Sequence, residues 1–188
     1  MAFLRRNPLA VLLSAATLCA VAGIFRAAVP AVRAAAPLPS ADAVYAAFVV
    51  NLTRFITWPA DPAVPPDAPF VIGTFPRDPI NDELDAAVRG ETFNGRPVQT
   101  IRLRSLEDVQ RCHTVFVSRG AGDLSALLSR TQNRPILTIS DSEAILRLGG
   151  HVRFVPQSTG TTLRVSVENL RASGLDARAQ LLRIATGP

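Results

Sequence analysis

Residues 134–156, RPILTISDSEAILRLGGHVRFVP, constrain the fold of this chain more than any other stretch. Ile136, Leu137, Thr138 and Ile139 form an unbroken strand pattern. An acidic turn at Ser140 and Asp141 follows, then a short helical pattern, a Gly149-Gly150 break and a second strand rich in β-branched and aromatic residues. A strand apolar on both sides needs cover on both faces of its sheet, which makes this segment the centre of an α/β domain. Two caps are open to the helix: Asp141 alone, or Ser140 with Glu143 completing a capping box. In either case the turn stands at the carboxyl end of a strand, the edge at which open α/β sheets receive ligands and partners.

The remaining pattern fits around that centre. Ser40 is placed to cap a helix running to about Ile56, with Val44, Phe48, Leu52 and Phe55 at helical spacing and Tyr45, Val49 and Ile56 widening the stripe. Trp58-Pro59 ends it, and a proline-rich crossing covers residues 61–69. Phe70 to Phe75 is the first strand, and a helix from Ile80 to Arg89 stops at Gly90. Asn94-Gly95 makes a tight turn before a strand from Val98 to Leu103, and Ser105 opens a helical turn. His113 to Val117 is a strand, Asp123 caps a helix carrying Leu124, Leu127 and Leu128, and the central strand comes next. His151 to Val155 and Thr161 to Val167 form an antiparallel hairpin, and the leucines from Leu170 to Leu182 supply closing helices. This order predicts a single α/β domain: an open, mostly parallel sheet with an antiparallel hairpin end and helices on both faces.

The amino terminus obeys a different rule. Arg5 and Arg6 precede an uncharged run from Leu9 to Phe25, and small residues follow at Ala34, Ala35 and Ala36. That is the pattern of a secretory signal, with cleavage expected near Ala34. Residues 1–34 are thus expected to be a signal peptide and 35–188 the α/β domain. A retained anchor is the competing reading, since the run lies at the lower limit of length for a span. Leu18 is too bulky in front of Cys19 for a lipoprotein site. Losing Arg5, Arg6, Arg26 and Arg33 with the leader removes four of the 20 basic residues, leaving 16 against 15 acidic ones. A chain this close to neutral, with no basic block, is not built to bind nucleic acid by counterion release.

Candidates for chemistry are few. His113 and His151 each begin a strand, and neither HxxxH nor CxxC spacing supports a metal site, so both are expected to be partly exposed strand-end residues. No GxSxG elbow accompanies them. Ser118-Arg119-Gly120-Ala121-Gly122 ahead of a helix has the look of an anion cradle, though the spacing is neither a P-loop nor a dinucleotide fingerprint, and an ordinary loop is the simpler reading. Once Cys19 leaves with the signal, Cys112 has no intrachain partner; beside Val115-Phe116-Val117 it is expected to be buried and inert.

Seven ordered segments carry a resemblance that spans the expected mature chain: YAAFVVNLTRFITWP (45–59), FNGRPV (93–98), CHTVFVS (112–118), PILTISD (135–141), GGHVRF (149–154), VENL (167–170) and QLLRIA (180–185). Together they resemble the YfiR-like family of small periplasmic proteins. The resemblance implies a non-enzymatic α/β domain without a cofactor. It implies binding to the periplasmic portion of an inner-membrane signalling protein, in the best-understood relatives a diguanylate cyclase, with lower cyclic di-GMP and restrained biofilm formation as the result; a homodimer stays open. Relatives with a cysteine matching Cys112 can form disulfides, but the partner position near Gly73 has no thiol here. The alternative is a single-lobed solute-binding or sensing domain with its pocket near Phe75, Ser118 and Asp141. By position at the strand carboxyl ends, Arg77, Asp78, Arg119 and Asp141 are the expected partner-binding residues.

Overall fold

Ser40 caps the first helix: its hydroxyl accepts the Ala43 N–H at 3.0 Å, and α1 runs Ala41–Thr53. The computed structural model describes residues 39–60, 65, 67–158 and 160–186; the expected leader and parts of the proline-rich crossing lie outside them. Within α1 the buried stripe is Tyr45, Val49 and Leu52, continued by Ile56 beyond the helix, while Phe48 packs at its margin. The helix ends before Ile56 because Ile56–Thr57 is a short strand, β1, paired antiparallel with Asp176–Ala177, β9.

The main sheet comprises β2 (Phe70–Thr74), β3 (Thr92–Phe93), β4 (Arg96–Arg102), β5 (Thr114–Val117), β6 (Leu137–Ser140), β7 (Val152–Gln157), β8 (Gly160–Val165) and β10 (Ala185–Thr186). Their spatial order is β10-β8-β7-β6-β5-β2-β4-β3. The β2–β4, β2–β5, β5–β6, β6–β7 and β8–β10 pairings are parallel, and only the β3–β4 and β7–β8 hairpins are antiparallel. The expected mostly parallel sheet with an antiparallel hairpin end is therefore what forms. Asn94 and Gly95 turn the β3–β4 hairpin with φ of 51° and 81°, the left-handed pair that a two-residue I′ turn needs.

Alternation along the central strands separates two cores. Phe70, Ile72, Phe116, Leu137 and Ile139 face α1, α2 (Asn81–Ala87), α4 (Val167–Ala172) and α5 (Ala179–Ile184). Val115 and Val117 face the opposite layer, built from a 3-10 helix at Leu106–Arg111 and α3 (Leu124–Thr131). On the first face Phe154 is ringed by Tyr45 at 4.9 Å, Phe116 at 5.7 Å and Phe48 at 5.8 Å between ring centroids. Burying a side chain of this size contributes about 1.5–3 kcal/mol, so the four rings seat α1 on the sheet.

The segment after β6 departs from expectation. Residues 143–149 are a run of turns and not a helix. Asn169 takes the carbonyls of Leu146 and Gly150 with its Nδ2 at 2.9 and 2.7 Å, removing acceptors that a continuing helix would use. Asp141 caps nothing there, since its carboxylate is committed elsewhere. Gly149 does adopt φ 96°, as the Gly-Gly break requires.

His151 is likewise not at the surface: it is 1% exposed. Its Nδ1 accepts the Thr138 N–H at 3.0 Å, so Nε2 carries the proton and faces Ser173 Oγ at 3.0 Å. Burial depresses its pKa to about 4. A group whose folded pKa lies below the unfolded value of about 6.5 contributes stability that is present above that value and lost as pH falls toward the folded one. Urea denaturation should show stability about 2 kcal/mol lower at pH 5 than at pH 7 from this residue. His151→Gln should flatten that slope, and an unchanged slope in the variant would count against the buried neutral imidazole.

Candidate functional site

Chain order places the site. From β2 the chain moves to β4 on one side and then returns to β5 on the other, so the carboxyl ends of β2 and β5 flank a topological switch point. Brackets of this kind open a crevice in doubly wound sheets. Here the crevice is closed by a carboxylate. Asp78, in the loop after β2 and 3% exposed, accepts the Ser118 N–H through Oδ2 at 2.8 Å and the Ser118 hydroxyl through Oδ1 at 2.6 Å. The Ile80 N–H adds a third bond to Oδ1 at 3.3 Å.

The next amide is filled in the same way from the other side. Asp141 Oδ1, after β6, accepts the Arg119 N–H at 2.6 Å, and the Arg119 guanidinium returns to the Asp141 carbonyl at 3.2 Å. Ser140 Oγ donates to Val117 O at 2.6 Å and accepts from Ser142 N at 3.0 Å, which holds the β6 turn against the end of β5. The loop at 118–122 is thus an anion cradle in part, but its first two amides hold the protein's own carboxylates. Phe75 closes the far side, its ring so near Gly122 that an added Cβ would fall 2.3 Å from it. Between Phe75 and Ser118 the ground is occupied by the Asp78 carboxylate and the Phe75 ring.

Of the expected residues, Asp78, Arg119 and Asp141 meet through the successive amides, whereas Arg77 is exposed beside them. Burial pushes the Asp78 carboxyl upward, opposed by its bonds to Ser118 and Ile80 and assisted by the nearby Asp141 charge. Tyr45 from α1 joins this edge: burial first, then the carboxylates of Asp141 and Asp42, push its phenol upward. Its helical spacing marks it only as core, so nothing in the sequence pattern could single it out. Beside Asp141 lies an open groove of about 570 Å³ lined by Arg119, Ser142, Glu143, Ala144, Arg147 and Arg153. Arg153, its side chain 17% exposed, pairs with Glu143 at 3.1 Å. Arg147 and Arg153 both lie in the 134–156 stretch, but nothing in its pattern marks them as lining a common groove.

Cys112 is a free, buried thiol whose pKa burial pushes up to about 12, which matches the expected inert residue. Its Sγ would stand 2.5 Å from a Cβ built on Gly73, so the two positions are neighbours, and Gly73 offers no thiol to pair with. His113 and His151 sit at separate strand ends, and no group of three or more His, Cys, Asp or Glu side chains that could hold a metal occurs among the described residues.

Removing the Asp78 carboxylate orphans two donors of Ser118, each of which costs about 1–3 kcal/mol when buried. Asp78→Ala should therefore lower unfolding stability by about 2–4 kcal/mol, and Asp141→Ala by about 0.5–1.5 kcal/mol because Arg119 is exposed to water. Chemical denaturation checks both. Equal losses, or none, would contradict the assignment of the two carboxylates.

Among the described residues no helix is long and apolar enough to cross a membrane. No curated protein matches the sequence. Among solved structures, an ABC domain in complex with L-Trp from Streptococcus pneumonia aligns with a TM-score of 0.53 at 12% identity, covering 76% of this chain. This chain spans 61% of that one, and the likeness is one of fold alone. The YfiR/HmsC-like family model matches residues 42–186, from the first turn of α1 to the last residue of β10. The chain belongs to the YfiR/HmsC-like family.

Proposed function

We propose that this protein is exported to the periplasm by cleavage of residues 1–34, and that residues 35–188 bind the periplasmic portion of an inner-membrane signalling protein, a diguanylate cyclase, and hold it inactive. Family membership over residues 42–186 is the observation that carries this reading. The protein acts as a regulator and not as a catalyst: it works by differential binding to two states of its partner. Moving a two-state cyclase from almost fully active to almost fully inactive takes about 10⁴-fold preference, or about 5.5 kcal/mol. A modest interface with a few well-placed charges supplies that.

The carboxyl edge of the sheet is the favoured contact face. Arg77 and Arg119 are exposed there, and Arg147 stands exposed on the rim of the neighbouring groove. Asp141 is half-buried and tethered, and Asp78 is buried, so these two hold the face in shape while the arginines meet the partner. Arginine forks suit carboxylates on the opposing surface. Mutation of such rim charges affects association rate and salt dependence without disturbing the fold.

Deleting the gene should raise cellular cyclic di-GMP and surface attachment, and expression of the exported chain should reverse both. The paired variant Arg119→Glu, Arg147→Glu should fold normally yet capture the cyclase from membranes at least tenfold less well. Unchanged cyclic di-GMP in the deletion strain would sink the regulatory reading, whereas full capture by the variant would move the contact face elsewhere.

A further inference from the structure

The hairpin of β7 and β8 carries a charge conflict. Alternation sends Val152, Phe154, Leu163 and Val165 into the core that α1 covers, and so sends Arg153, Val155, Thr162 and Arg164 to the other face. The register then sets Arg153 directly opposite Arg164. Like charges at such positions, with Cβ atoms about 4.5–5.5 Å apart, destabilise an antiparallel pair. Arg164 is exposed, so packing does not require a cation there.

The surroundings add positive charge instead of offsetting it. Arg153 lines the groove of about 570 Å³ beside Asp141, together with Arg119 and Arg147. Arg119 holds the Asp141 carbonyl at 3.2 Å, while Arg147 and Arg164 have no ion-pair partner among the described residues. Glu143 is the carboxylate in the groove lining, and it meets Arg153 Nη2 at 3.1 Å. Its side chain is 78% exposed, so water screens that pair. Arg153 itself is 17% exposed on its side chain, and its Nε–H is buried without an acceptor. One part of the Arg153 fork is answered by Glu143 and another is unmet, a costly state for a buried donor on a charged group. Arg147, Arg153 and Arg164 thus share one screened carboxylate.

An anion with more than one charge and several acceptor oxygens balances such a set. A carboxylate brings a single charge and would leave the cluster positive. A phosphate monoester carries about −1.5 to −2 charges at pH 7 and three acceptor oxygens, enough to answer two guanidinium forks at once and to relieve the repulsion across the hairpin.

We propose that this groove takes the phosphoryl group of a phosphate monoester, with Arg147, Arg153 and Arg164 around its oxygens and Glu143 displaced from Arg153 as it binds. The groove borders the face assigned to the partner, so its occupancy changes the charge that the face presents and with it the rate of association.

The test uses the purified exported chain without a cyclase, so its outcome is independent of the regulatory reading. The buried Arg153 Nε–H gives a side-chain signal in an ¹H–¹⁵N spectrum, assigned by its loss in Arg153→Lys. Titration with methyl phosphate at pH 7 and fixed ionic strength should move that signal saturably, and acetate should bind at least tenfold more weakly. Co-sedimentation with phosphatidylcholine vesicles containing phosphatidic acid is the lipid arm, and the tighter of the two arms names the source of the phosphoryl group. Two variants at exposed positions carry signed expectations that a passive surface charge does not. Arg164→Gln should weaken methyl phosphate binding at least tenfold yet raise the melting temperature of the free chain, because it removes the opposed charge. Glu143→Gln should tighten binding at least threefold, because it removes the internal competitor. Absence of saturable binding in both arms overturns the proposal. So does acetate that binds as tightly as the ester, a lower melting temperature in Arg164→Gln, or a pair of variants that bind the ester as the parent does.

Discussion

Two carboxylates on two successive amides are the constraint that the carboxyl edge of this sheet depends on. At the end of β5 the N–H groups of Ser118 and Arg119 lie beyond the last ladder pair, next to the switch point. Asp78 comes from the β2 side and Asp141 from the β6 side, so the three central strands are tied together at one line. Charge-assisted bonds of this kind are roughly twice as strong as neutral ones, and Asp78 must offset the cost of its burial through all three of its contacts. The first-layer consequence is mechanical: the loops that would otherwise move independently above β2, β5 and β6 are held as one surface. The functional consequence is that a crevice used elsewhere for ligands is here filled from within, leaving a rigid face with arginines on it.

The amino edge follows the opposite logic. There Trp58, which follows β1, meets Phe70 of β2 and Phe93 of β3 beside a cavity of about 590 Å³; among the described residues the charges lining it are positive and Trp58 Nε1 has no acceptor. One edge satisfies itself and presents a surface; the other is incomplete and presents a cavity. β2 and β5 connect them, with Phe70 and His113 at one end and Asp78 and Ser118 just beyond the other.

Much of this was legible in the residues. The continuous apolar run at 136–139 demanded a doubly covered strand, the Asn94-Gly95 pair demanded a left-handed turn, and Ser40 and Asp123 cap the helices they precede, Asp123 through the Ala126 N–H at 3.0 Å. What pattern could not supply was competition for the same group. Asp141 and Ser140 have the chemistry of helix caps, but a neighbouring strand's amide and carbonyl claim them first, and Asn169, distant in sequence, takes the carbonyls of the turn that follows. The β1–β9 pair is two residues long and carries no period to detect. The amino-edge cavity escaped for the same reason: its rings and arginines are scattered from Trp58 to Arg178 and meet only when the register of the sheet is set.

Native-state hydrogen exchange at individual amides tests the central constraint most directly, because an amide opens only as often as its acceptor lets go. Ser118 N–H, bonded to the buried Asp78, should exchange as slowly as the interior amides of β5, and Arg119 N–H should be protected well above the exposed loop residues that follow it. Exchange of both at the rate of the exposed Gly120 amide would mean that the carboxylates do not hold the strand ends, and the rigid face would go with them.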